Sequence, residues 1–353
     1  MTQPPGFVDQ SQPHHVCKLR KSLYGLKQAP RAWYEELYTT LLSLGFQSST
    51  ADPSLFIHTS SSITFLLVYV DDILITGSSP TTCNHFISQL SSRFAMKNLG
   101  PLHYFLGIQV HRTPTSIFLS QAKYIQELLT KASMVDCKPC TTPASLVKLD
   151  TTSGDLLHDP TQYRSLVGAL QYLTWTRPDI AFAVNQVCQH MQTPRIPHLS
   201  AVKRILRFLK GTPDQGLLFT KGSQDLIAYS DADWAGCPID RRSVTGFCLY
   251  LGPNLISWCA KKQPCVSRSS TESEYRSLAQ TASEITWLCG LLKDLHFYLA
   301  HPPLLLCDNV SALALASNPV FHARSKHIEV DYHYIRTLVT SNSITISYLP
   351  THD

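Results

Sequence analysis

Ile63-Thr64-Phe65-Leu66-Leu67-Val68-Tyr69-Val70-Asp71-Asp72-Ile73-Leu74-Ile75 is an apolar run broken once, by two adjacent carboxylates. Ile63 to Tyr69 and Ile73 to Ile75 read as the arms of a β-hairpin flanking Asp71-Asp72. Turn chemistry is one account of the pair, since Asp suits tight turns. A bound cation is the other: adjacent carboxylates among apolar flanks repel each other, and magnesium takes oxygen ligands from one or two carboxylates plus substrate phosphates.

Outward from this hairpin, Arg31 to Leu44 has helical spacing (Trp33, Leu37, Leu41, Leu44) and follows Pro30, a favoured helix-entry residue. Asn84 to Phe94 and Ala122 to Met134 read as amphipathic helices. Two composition breaks follow, Cys137 to Pro160 and Gly211 to Asp225, rich in Pro, Gly, Ser, Thr and Asp as surface linkers are. They divide the chain into residues 1–136, 137–222 and 223–353. Between the breaks, Tyr163 to Leu173, Asp179 to Met191 and His198 to Leu209 are helical in pattern. Lys203, Arg204, Arg207 and Lys210 punctuate the last one, either as a solvated face or as contacts to a phosphate backbone.

The 353 residues carry 44% hydrophobic and 16% charged side chains, a composition that supports folded cores and excludes a highly charged disordered chain. A net charge of +5 permits a nucleic-acid partner without requiring one. The Pro- and Gln-rich start, Met1 to His15, lacks a signal-peptide apolar region, and the longest apolar run, Ile63 to Val70, is far short of a membrane span. The expectation is an intracellular, soluble protein with no membrane partner. The 11 cysteines read as ordinary thiols of a reducing compartment. Cys137 and Cys140 form a lone C-x-x-C among Pro139, Thr141, Thr142 and Pro143, poor surroundings for zinc or redox chemistry.

In the last third, strands at Leu226 to Ser230, Thr245 to Leu251 and Leu255 to Trp258 precede a long helix, Glu272 to Leu295. A strand at Leu304 to Cys307, two helices and a strand at Ile344 to Leu349 complete an α/β unit with a mixed sheet. Asp231 and Asp308 follow apolar strands, and Glu274 lies on the stripe of Leu278, Ala282, Ile285 and Leu292. Three acids at the ends of three core elements can converge. Each has a bland alternative: Thr271 and Glu274 have capping-box spacing, Asp308 could cap the helix near Val310, and Asp231 could be a solvated strand end.

Lys21 to Trp33 (KSLYGLKQAPRAW), Asp52-Pro53-Ser54-Leu55-Phe56, YVDDILITG, Phe94 to Gly107 (FAMKNLGPLHYFLG) and Ser120-Gln121-Ala122-Lys123-Tyr124-Ile125 together resemble, in order, the reverse transcriptases of copia-type LTR retrotransposons. Ser230 to Gly236 (SDADWAG), Ser270 to Tyr275 (STESEY) and Cys307-Asp308-Asn309 continue the resemblance into a ribonuclease H. It implies a fold of mixed α/β and α+β class. This comprises part of a palm and thumb with its primer grip (1–136), a linker and helical connection (137–222), and a ribonuclease H-like domain with a mixed five-stranded sheet (223–353). By the same resemblance Asp71 and Asp72 are the paired palm aspartates, Asp71 the main metal ligand. Gly25 and Gln28 line the nucleotide and template side, and Phe105, Leu106 and Gly107 belong to the primer-gripping hairpin, with a turn glycine and plain core residues as the alternatives. Asp231, Glu274 and Asp308 bind two divalent ions, Mg2+ or Mn2+, for hydrolysis of the RNA strand in a hybrid, with Asp233 and Glu272 as near misses in register. The implied partners are an RNA template, a DNA primer and an RNA–DNA hybrid, along with other Pol segments or a dimer partner. The implied setting is a virus-like particle, the cytoplasm or the nucleus.

Two expectations depart from the family pattern. A further palm aspartate belongs before Gln3-Pro4-Pro5-Gly6-Phe7, and a fourth nuclease carboxylate belongs in an Ala-Asp pair beyond Tyr348 to Asp353, so each site reads as one ligand short in this chain. Glu329 and Asp331 are weak substitutes because they precede the last strand. The alternatives to an active enzyme are a catalytically impaired remnant that only binds nucleic acid and an unrelated metal-dependent phosphatase, which would leave the ordered palm motifs unexplained.

Overall fold

The computed structural model describes residues 1–19, 21, 23, 25–317 and 329–350. They divide into two compact units, Met1–Leu99 with Gly290–Phe297, and Gly100–Cys289 with Tyr298–Asp353.

In the first unit, α1 (Ala29–Ser43) and α2 (Pro80–Arg93) accompany an antiparallel sheet of β1 (Gln47–Ser48), β2 (Leu55–Thr59), β3 (Ile63–Tyr69) and β4 (Asp72–Gly77), in that order. Thr64, Leu66 and Val68 alternate inward along β3, the period-2 pattern of a strand with one buried face. Leu66 and Val68 meet Leu37 and Leu41 of α1, Phe86 and Leu90 of α2, and Phe46 and Phe56 in one apolar core. Helix α2 starts a turn earlier than the apolar spacing suggests, because Ser79 caps it, accepting from the Thr82 amide at 3.3 Å, with Pro80 in the first turn. Asp294 closes the 49–51 turn, accepting from Ser49 Oγ at 2.6 Å and the Thr50 amide at 2.8 Å.

The second unit contains two sheets and a helical cluster. Strands β5 (Tyr104–Phe105), β6 (Ile108–Arg112), β7 (Ser116–Ser120) and β8 (Gly216–Thr220) form an antiparallel sheet in sequence order. Strand β8 is the short apolar stretch inside the second composition break, pairing Leu217 with Leu119 and Phe219 with Ile117. Helices α3 (Ala122–Lys131), α4 (Thr161–Leu173), α5 (Ala181–Cys188) and α6 (Ile196–Gly211) share a core containing Ile125, Leu129, Tyr163, Leu170, Val184, Val202 and Leu206. The expected single helix Asp179 to Met191 is a 3₁₀ turn, Pro178–Ile180, followed by the shorter α5. At this corner Arg177 is buried, 1% exposed. It grips Asp179 bidentately and donates to the Thr212 carbonyl at 2.8 Å.

The second sheet of this unit is the expected mixed five-stranded one. Strands β9 (Leu226–Asp233), β10 (Val244–Leu251) and β11 (Asn254–Lys262) form an antiparallel meander, and β12 (Leu304–Cys307) and β13 (Thr345–Tyr348) add in parallel on the other side of β9. Spatial order is β11-β10-β9-β12-β13. Helix α7 (Ser270–Asp294) lies on one face, where Ser277 and Thr281 hydroxyls bond to Ser230 at 2.9 and 3.1 Å. Helices α8 (Val310–Ser317) and α9 (Glu329–Thr340) connect β12 to β13. Among the described residues no helix is long and apolar enough to cross a membrane.

Candidate active site

The sequence reading named two groups of carboxylates, and each lies within one unit. In the first, Tyr69 pairs with Asp72, so Val70 and Asp71 are the two residues at the hairpin tip. Both aspartates are exposed. Val70 has a φ of 55°, a left-handed conformation that is an outlier for a β-branched residue and costs ~1–3 kcal/mol. Its carbonyl accepts from Trp33 Nε1 of α1 at 2.7 Å. A helix thus anchors the strained tip that presents Asp71. Gly25 has a φ of 89° with open space where a side chain would lie, so conformation alone explains the glycine. Gln28 is the N-cap of α1, but its side chain makes no cap bond and is exposed.

In the second unit, Phe105 closes the β5–β6 hairpin opposite Ile108, and Leu106 and Gly107 form its tip with φ of 46° and 71°. Tyr172 of α4 donates from its hydroxyl to the Leu106 carbonyl. A Cβ on Gly107 would lie 2.8 Å from that hydroxyl. Gly107 therefore serves both the turn and a close approach. Lys203 is exposed on α6. Arg207 instead donates from Nε to the Lys138 carbonyl at 2.7 Å, and Arg204 holds the carbonyls of Thr142 and Ala144 at 3.2 and 3.1 Å. Both arginines fasten the 137–145 linker to the helix, an observation that accounts for them without a phosphate. Cys140 is drawn into the same seam, with Sγ 3.4 Å from the Arg204 carbonyl.

Asp231, Glu274 and Asp308 come together in this unit. Ligand atoms of Glu274, Cys307 and Asp308 all lie within 4.8 Å of one another. Asp231 is close enough for the charge of Asp308 to act on it and for its own charge to act on Glu274. Burial, followed by the charge of Asp231, pushes the Glu274 carboxyl up to about 8, and burial with Asp308 raises that of Asp231. Glu274 is only 6% exposed, accepting from the Ala232 amide at 3.2 Å and from Cys307 Sγ at 3.9 Å.

The bland alternatives to this cluster find other owners. Ser269 caps α7, its Oγ accepting from the Glu272 amide at 3.2 Å, and Glu272 turns back to the Arg268 amide at 2.8 Å and pairs with Arg276 at 3.0 Å. The near miss is thus the capping residue, and Glu274 faces the sheet. Asn309 caps α8 by accepting from the Ala312 amide at 2.9 Å, which leaves Asp308 unneeded as a cap. The third expectation is corrected: β9 runs on to Asp233, so Asp231 lies within the strand rather than at its end. Its neighbour on β10 is Gly246, a strand-interior glycine of the kind that marks a close approach. Asp233 accepts from the Val244 amide, and a Cβ at Gly236 would collide with its carboxylate, so it closes the β9–β10 connection.

Sequence reasoning missed Cys307 as a neighbour of the cluster. Its thiol, pushed up to about 12 by burial, donates a long hydrogen bond to Glu274 at 3.9 Å. The adjacent Asp308 was the only available signal. The glycine in β10 was a second overlooked one. Asp331 contacts Arg276 at 3.7 Å, Glu329 is exposed, and Asp353 lies outside the described residues, as do Lys326, His327 and Ile328. A groove of about 520 Å³ runs beside the carboxylates, lined by Phe182, Tyr229, Asp231, Gly246, Trp258 and Asp308 among others.

The chemistry of this donor set fits a hard divalent cation. Three carboxylates converge, and burial and mutual repulsion make Glu274 and Asp231 poor at holding charge alone. The exposed pair Asp71 and Asp72 offers oxygen ligands of the same type.

The family described as reverse transcriptase (RNA-dependent DNA polymerase) matches residues 1–146. The retrovirus-related Pol polyprotein from transposon RE1 of Arabidopsis thaliana is 54% identical over 356 residues, 100% of this chain and 24% of the relative. The corresponding polyprotein from transposon TNT 1-94 of Nicotiana tabacum is 40% identical over 100% of this chain and 27% of its own length. A putative transposon Ty5-1 protein of Saccharomyces cerevisiae is 34% identical over 80% of this chain and 94% of its own length. The chain spans about a quarter of the length of the Pol polyproteins that it matches. With the palm motifs in order and the expected mixed sheet in place, the chain belongs to the reverse transcriptase family found in the Pol polyproteins of copia-type LTR retrotransposons.

Proposed function

We propose that this chain carries carboxylates of an RNA-directed DNA polymerase site and of a ribonuclease H site, the latter hydrolysing the RNA strand of an RNA–DNA hybrid. The observation that carries the nuclease reading is the convergence of Glu274 and Asp308 beside Asp231, from three separate core elements. Asp231 from β9, Glu274 from α7 and Asp308 after β12 would hold magnesium, with manganese as a substitute. Bound there, such ions supply Lewis-acid stabilisation of the attacking and leaving oxygens. The chain's own contribution is position. The Ala232 amide orients Glu274, the Ser277 hydroxyl bonds the Asp231 carbonyl at 2.7 Å, and Gly246 keeps the strand beside Asp231 free of a side chain. In the polymerase half, the strained Val70 turn would present Asp71 to the incoming phosphates.

The test is cleavage of a labelled RNA–DNA hybrid by the chain in magnesium and in manganese. Asp308→Asn should abolish cutting in both ions while leaving the fold intact by circular dichroism. Unchanged cutting by that variant would overturn the nuclease assignment. The polymerase reading is tested in the whole Pol polyprotein by primer extension, where Asp71→Asn should stop synthesis and leave hybrid cleavage in place.

A further inference from the structure

Away from the carboxylates, the β9–β10 connection carries a second chemical cluster. Lys262, the last residue of β11, directs its ammonium at three acceptors: Cys237 Sγ at 3.0 Å, Asp240 Oδ2 at 2.9 Å and Gln189 Oε1 at 3.0 Å. Arg242 Nε lies 3.5 Å from the same Asp240 oxygen. Cys237 is 7% exposed and the Lys262 side chain 19%, so the pair is largely covered but opens to solvent. A nucleophilic sulfur beside a cation is the setting in which cysteine reactivity concentrates.

We propose that Cys237 and Lys262 are a peroxide-sensitive modification site that closes into a covalent sulfur–nitrogen cross-link. In the first step the Cys237 sulfur attacks hydrogen peroxide, the O–O bond breaks, and the products are a sulfenic acid and water. Sulfur is oxidised by two electrons and the peroxide is reduced. In the second step the Lys262 amine, its proton released to solvent past Asp240, attacks the sulfenic sulfur. The S–N bond forms, the S–O bond breaks, and the leaving hydroxide departs as water. One peroxide yields two waters, and the linked residues are two hydrogen atoms lighter than the separate thiol and amine. The 3.0 Å separation makes the second step intramolecular at attack distance. Closure draws the Lys262 nitrogen away from Asp240 and Gln189, converting a polar clamp on the 234–243 connection into a covalent one.

The experiment is peptide mapping of the whole chain after brief exposure to dilute hydrogen peroxide. Expected is one linked pair of peptides containing residues 237 and 262, two hydrogens light, that separates on treatment with a thiol reductant. In Lys262→Arg, which keeps the cation beside the sulfur, the link should vanish and dimedone should instead trap a sulfenic acid at Cys237. Dimedone labelling of Cys237 in the unaltered chain with no linked peptide would overturn the cross-link. Oxidation at the other cysteines while Cys237 stays reduced would overturn the site itself. The unaltered chain decides both questions, so the proposal remains testable even if the variant folds poorly.

Discussion

The two carboxylate groups differ in how the fold makes them. Asp71 and Asp72 are neighbours in sequence on an exposed hairpin, and forming that hairpin suffices to bring them together. Asp231 and Asp308 lie 77 residues apart in sequence with Glu274 between them, and the three meet only when two parallel strands and a helix pack. The first group is inexpensive to assemble but strained at Val70. The second buries Glu274 and raises its proton affinity and that of Asp231. A local site thus stores its cost in a dihedral angle, whereas a tertiary site stores it in electrostatics.

The largest expected effect separates the groups functionally. In the Pol polyprotein, Asp71→Asn should reduce primer extension by ~10²-fold or more, at least about 2.7 kcal/mol in the barrier, with hybrid cleavage little changed; Asp308→Asn should do the reverse. Loss of both activities in either variant would mean that the two groups are not independent.

A smaller effect addresses what holds the second unit together. Arg177→Met should cost about 3 kcal/mol in urea unfolding, because it strips Asp179 and the Thr212 carbonyl of a buried partner. A loss below about 1 kcal/mol would show that the corner tolerates the change and that the ion pair contributes as little as a surface one.

Gly107→Ala should cost about 1–3 kcal/mol, from the positive φ together with the collision with Tyr172. Pairing it with Tyr172→Phe in a double-mutant cycle apportions the loss between dihedral and contact. A fully additive cycle would assign it to the backbone alone.

The subtlest effect is pH dependence without divalent ions. The folded-state carboxyl of Glu274 titrates near 8, above its ordinary value, so the folded state holds a proton that the unfolded chain releases. Its contribution is fully present below about 4.5 and is lost as pH rises toward 8; Asp231 acts in the same sense. Thermal unfolding in a chelator should therefore show stability from this cluster falling across that window. Glu274→Gln should flatten the fall, and added magnesium should oppose it. An identical slope in Glu274→Gln would remove Glu274 as its source.

The sequence alone determined the hairpin around Asp71-Asp72, the helical spacing of α1, and the order of strands and helices that makes the mixed sheet. These follow from periodicity and turn chemistry, which act over a few residues and are visible in any short window. It also nominated Asp231, Glu274 and Asp308, but left a capping role open for two of them. Only the tertiary structure decided that matter. Ser269, Glu272 and Asn309 take the caps, and a one-residue shift in a cap is invisible to spacing arguments that allow several candidates. The burial of Arg177, the strand made from residues 216–220 and the meeting of Cys237 with Lys262 were equally hidden, because each depends on partners far away in sequence. Local chemistry names which residues can act, and packing chooses their partners, because burial and charge depend on every element that comes near.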